Sequence, residues 1–147
     1  MRRYTTPEPF AVPLWDSQPA FKRADLVFDG VEHGGDSFVG RIFLAADADE
    51  STPTTVDKGY AGSLYVFGHG RCFGDPGHCT VPSGPIHPFD YRRPHMLTPQ
   101  VHVVQITETL RALNVSEFAV TVIPTTATGQ PAGDVLWLTG VSLVTYD

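Results

Sequence analysis

The chain has 147 residues, 41% of them hydrophobic and 18% charged, with a net charge of -6, which is about one domain's worth of chain. The acidic balance argues against a nucleic-acid partner, because a phosphate binder needs a basic surface, and no stretch is long and apolar enough to cross a membrane. Arg2 and Arg3 are followed by Pro7, Glu8 and Pro9 where the apolar core of a signal peptide would stand, so the expected location is cytoplasmic.

Residues 1–20 carry four prolines and read as an extended arm, with Phe10, Val12, Leu14 and Trp15 available to pack on the body at 21–147. Apolar–polar alternation then predicts strands over Lys22–Phe28 and Ser37–Ala45, with Phe38, Ile42 and Leu44 pointing inward. Asp47–Lys58 is polar and rich in Thr and Pro, a surface loop. Ser63–Phe67 is a further strand. Beyond the long segment described next, Val101–Ile106 is a strand and Thr107 caps a short helix over Glu108–Leu113. Phe118–Ile123 is a strand, and Val135–Leu138 with Val141–Tyr146 closes the chain. Many short strands and one short helix predict an all-β fold, a single antiparallel sandwich of the jelly-roll or immunoglobulin-like kind.

Gly68–Pro99 has five glycines, six prolines and no apolar run of strand length. Loops of this length are usually functional. The segment begins His69-Gly-Arg-Cys72-Phe-Gly-Asp75-Pro-Gly-His78-Cys79 and continues to His87, Asp90 and His95. Both cysteines and four of the six histidines of the chain fall here. Thiolate and imidazole are the preferred ligands of copper and zinc. His69, Cys72, His78 and Cys79 are the leading metal candidates, with His95 and His87 next and Asp75 and Asp90 as possible orienting carboxylates. Cys-x6-Cys with an adjacent His is no standard zinc-finger spacing. A Cys72–Cys79 disulfide and a plain glycine-rich loop with surface histidines stay open beside the metal. His33 and His102 stand apart in sequence and read as packed or exposed side chains.

Three stretches resemble the C-terminal β-sandwich domain of tyrosinases and plant polyphenol oxidases. They are Leu26-Val-Phe-Asp-Gly-Val-Glu followed by Ser37-Phe-Val-Gly-Arg-Ile-Phe-Leu; Tyr60-Ala-Gly-Ser-Leu-Tyr-Val-Phe-Gly-His69; and Ile106-Thr-Glu-Thr-Leu-Arg-Ala-Leu with Phe118-Ala-Val-Thr-Val-Ile-Pro124 and Gly140-Val-Ser-Leu. The resemblance implies a sandwich that covers the dicopper site of an oxidase, or that helps to deliver copper to it. The histidine-bearing catalytic domain of that family has no counterpart in these residues, and the Cys72 to His95 stretch is longer and richer in ligands than the plant version.

Together these readings lead to an accessory protein that holds copper (with zinc as the alternative metal) through the Cys/His loop and serves a tyrosinase-like copper oxidase. Two alternatives stand beside it. One is a mononuclear copper oxidase or oxygenase whose open coordination position is lined by Phe67, Phe73, Phe89 and Tyr91. The other is an interaction module stapled by zinc or a disulfide. On the metal reading, residues 68–99 are ordered only when their ligands are engaged. About 1–2 kcal/mol of backbone entropy per residue exceeds what their few apolar side chains return.

Overall fold

Two facing antiparallel sheets enclose the core of the computed structural model, which describes residues 3–70, 74–85, 87–93, 95–130 and 132–147. In chain order the elements are β1 (Tyr4–Thr5), β2 (Phe10–Ala11), β3 (Leu14–Trp15), β4 (Gln18–Pro19), β5 (Arg23–Val31), β6 (Phe38–Phe43), a 3-10 turn at Val56–Lys58, β7 (Tyr60–Val66), β8 (Gln100–Gln105), α1 (Thr107–Leu113), β9 (Glu117–Phe118), β10 (Thr121–Thr125) and β11 (Gly140–Tyr146). One sheet runs β1-β10-β6-β7 and the other β11-β5-β8, and every pairing is antiparallel. The all-β class expected from the alternation is the one observed.

Period-2 alternation decides which side chains meet between the sheets. Ala24, Leu26 and Phe28 of β5 are wholly buried, as is Ile42 of β6, and they pack with Leu64, Val66, Val120 and Val122. Phe38 and Leu44, expected to point inward, are buried at 3% and 5% exposure. The other face of β6 has its own cover: Phe43 and Ile123 are sealed by Ala48 and Tyr60, the former from the loop that follows β6.

Three local expectations change. Thr107 is the first residue of α1 rather than its cap, since its hydroxyl accepts from the Ala24 amide at 3.0 Å and so tethers the helix to β5. The helix ends on Asn114 in the left-handed conformation, a usual stop. The residues 135–138 are irregular, yet Leu136 is buried and the Trp137 carbonyl accepts from the Glu32 amide at 2.9 Å, so the segment lies across the end of β5. The first twenty residues are built into the body: β1 adds to the first sheet, β2 pairs with β9, Phe10 meets Phe118 at 5.6 Å and Val12 is buried. Leu14 and Trp15 instead sit on a β3–β4 hairpin in which Trp15 is 75% exposed.

Candidate functional site

Three chain segments converge at the end of the sandwich from which the long loop leaves. The first follows β5. A bulge between Phe28 and Val31 interrupts its pairing with β8. Gly30 makes the bulge with φ of 64° in a space where a Cβ would lie 1.7 Å from the Thr139 hydroxyl, so only glycine fits. The strand is thereby redirected and His33 turns inward, 3% exposed. Its Nε2 lies 3.0 Å from the carbonyl oxygen of Thr98, at the far end of the long loop. A carbonyl only accepts, so Nε2 carries a proton, and in the neutral ring Nδ1 has the lone pair.

The second segment follows β7. The His69 amide donates to the His33 carbonyl at 2.9 Å, the Gly70 amide to Gly35 at 2.8 Å, and the Gly68 amide to the Ser37 hydroxyl at 3.0 Å. A Cβ at Gly68 would stand 2.1 Å from the Gly35 carbonyl oxygen and 2.5 Å from the Asp36 carbonyl carbon, so the close approach needs glycine. It brings the His33 and His69 rings to 5.2 Å between centroids at 50°, with His69 on the solvent side. The third segment is β8, where half-buried His102 has Nε2 3.0 Å from the Gln100 side-chain oxygen. Burial, and then the neighbouring His33, lower its pKa below the ordinary imidazole value.

The loop itself is laced by backbone bonds. The His78 amide donates to Asp75, Thr80 to Gly77, Asp90 to His87 and Thr98 to His95, at 2.8 to 3.0 Å. Two of its histidines are part of the lacing. His95 accepts the Leu97 amide at Nδ1 (3.1 Å) and donates from Nε2 to the His78 carbonyl (2.9 Å), which fixes one neutral tautomer. His87 accepts the Phe89 amide at Nδ1, 3.2 Å. Asp90 grips Arg92 side chain to side chain, and this contact, followed by the Arg92 amide, holds the Asp90 carboxyl below the usual carboxylate range. Cys79 is disulfide-bonded; Cys72, the only other cysteine of the chain, and Phe73 lie outside the described residues.

The six expected metal ligands are thus distributed unevenly. His69 meets His33, a residue that reads as isolated in the sequence. His78 is exposed, with no hydrogen bond to its ring among the described residues. His87 and His95 spend nitrogens on the backbone, and Cys79 has no thiolate to offer in this form. Among the described residues, no group of three or more His, Cys, Asp or Glu side chains is arranged to hold a metal ion. The described loop residues do not by themselves assemble a metal group, and Cys72 lies outside them. No sequence signal joined His33 and His102 to this end of the fold. Their meeting depends on β5 lying beside β8, and on the β6–β7 pair bringing residue 68 against residue 35.

Several large apolar side chains of this region are exposed. Phe67, Phe89 and Tyr91 are 85%, 74% and 89% exposed, and Met96 is 58% exposed. A groove of about 270 Å³ beside Phe67 is lined by Phe38, Val39, Tyr65 and Ala127. A roomier depression of about 450 Å³ under the loop after β6 includes Asp47, Asp49 and Lys58 and has no histidine or cysteine in its wall.

No protein-family model matches the chain, and no curated protein matches it. Among solved structures it is similar to latent apple tyrosinase at 14% identity and a TM-score of 0.48. That match covers 99% of this chain and 28% of the apple protein, so the chain spans less than a third of that protein's length.

Proposed function

We propose that this chain is an accessory β-sandwich that lays its long loop against a tyrosinase-like copper oxidase and covers that partner's site. The observation that carries the reading is the loop surface: Phe67, Phe89, Tyr91 and Met96 are held out in solvent on a backbone secured by its own turns, histidines and a disulfide-bonded Cys79. Aromatic residues and methionine are enriched where proteins meet, and large apolar side chains held in solvent mark interaction surfaces. The choice of partner rests on the three sequence stretches that resemble the covering domain of tyrosinases. A disulfide at Cys79 fits an oxidising setting better than the cytoplasm expected from the sequence.

The test uses the catalytic domain of a tyrosinase-like oxidase freed of its own covering domain. Phenol turnover should fall as the chain is added, and Phe89→Ser with Tyr91→Ser should restore it. Turnover that is indifferent to the chain at every ratio would remove the proposal. One observation favours a second reading, in which the chain carries copper: the His69 and His78 rings are exposed and make no hydrogen bonds among the described residues. With Cys72 and Cys79 reduced, these four would form a soft set suited to Cu(I). Equal Cu(I) affinity of wild type and Cys72→Ser under reducing conditions would exclude it.

A further inference from the structure

We propose that His33 and His69 form a two-imidazole site for a divalent first-row transition ion, with His33 binding through Nδ1. The site requires neither the covering role nor the cysteines.

Geometry comes first. Ions of this class sit about 2.0–2.1 Å from imidazole nitrogen. Two imidazoles sharing one ion at a near-tetrahedral angle then have ring centroids about 5 Å apart, and the observed separation is 5.2 Å. The separation is also fixed by the backbone. The His69 amide is bonded to the His33 carbonyl, and Gly68 passes so close to Gly35 and Asp36 that the two segments cannot be spread by a larger residue.

Chemistry comes second. A metal-binding imidazole almost always donates its other N–H to a carbonyl or carboxylate, which sets the tautomer and aims the lone pair. His33 has this arrangement already: it is 3% exposed, Nε2 donates to the Thr98 carbonyl at 3.0 Å, and Nδ1 has no hydrogen-bond partner among the described residues. His69 is on the solvent side and supplies the entry path. With two protein ligands, water completes the coordination, and the ion exchanges readily.

The experiment titrates Zn²⁺ alone into the chain with its disulfide intact and follows the imidazole nitrogens by long-range ¹H–¹⁵N spectra. The first equivalent should shift His33 at Nδ1 together with His69. Binding should weaken in acid, where protons compete with the ion for imidazole nitrogen. His69→Gln, on an exposed side chain that leaves the fold intact, should abolish the first equivalent. His87→Gln should leave it unchanged. If His69→Gln binds Zn²⁺ as wild type does, or the first shifts fall on His78, His87 or His95, or no shift occurs, the site does not exist. Failure here leaves the oxidase-covering test untouched, since that assay needs no metal on this chain.

Discussion

Leu26, Phe28 and Ile42 are wholly buried between the sheets, whereas Phe89, Tyr91 and Met96 of the long loop stand mostly in solvent. The two regions are held by different means. The body gains from removing apolar area from water, at roughly 25 cal/mol per Å². In the loop, that term is small. What limits its chain entropy is a set of short closures: turn bonds three residues apart, histidine rings bonded to main-chain groups, and a disulfide-bonded Cys79. The lesson is that a stretch rich in histidine and cysteine can use those side chains as backbone fasteners. The same residues are the metal-ligand candidates of the sequence, and fastening and ligation draw on the same ring nitrogens.

The largest expected effect falls on the body. Phe28→Ala removes a wholly buried ring and should cost about 3–5 kcal/mol, seen as a lower urea midpoint for the entire domain. Phe89→Ala, of the same chemistry but 74% exposed, should leave that midpoint almost unchanged. Equal effects would erase the distinction between the regions.

Gly68→Ala tests the seam between them. Its Cβ would meet main-chain atoms of Gly35 and Asp36, which cannot swing aside, so a loss of about 1–3 kcal/mol is expected. The loss should come with separation of the His33 and His69 ring signals. A neutral result would mean that the two segments are not tightly apposed.

Within the loop, His95→Ala deletes the acceptor for the Leu97 amide and the donor to the His78 carbonyl. About 1 kcal/mol of local stability should be lost. Faster hydrogen exchange at Leu97 with unaltered exchange at Leu26 is the signature. Uniform acceleration would place His95 in the global fold instead.

The smallest effect is with pH. His102 has its pKa lowered by burial and by His33. Its contribution is therefore constant above about 6.5, where the unfolded imidazole is neutral. It falls as the unfolded chain takes up a proton that the folded one refuses. Stability should decline below that pH until folded His102 itself titrates, and His102→Gln should flatten part of the slope. An unchanged slope would assign the dependence to other groups.

The body was legible in the sequence because strand alternation reports one local fact, the side of the pleat, and the core residues Phe38, Ile42 and Leu44 follow from it directly. Element ends were less so: Thr107 looks like a helix cap until β5 offers its backbone at Ala24. The loop's residue types were legible, and their spatial neighbours were not. Whether a histidine faces a carbonyl, an amide or another histidine depends on which strands lie side by side, and His33 with His69 is a contact 36 positions apart. The stretches that resemble tyrosinase covering domains fall mainly on β5, β6, β7, α1, β10 and β11, the regular elements on either side of the loop.

Limited proteolysis of residues 68–99 in the presence of a chelator, and separately of a reductant, tests most directly whether the loop is fastened by its own bonds. The account predicts that the chelated, oxidised chain keeps its loop protected, and that reduction exposes it while the sandwich resists cleavage. A loop that opens on chelation with its disulfide intact would contradict the account and return the segment to a metal.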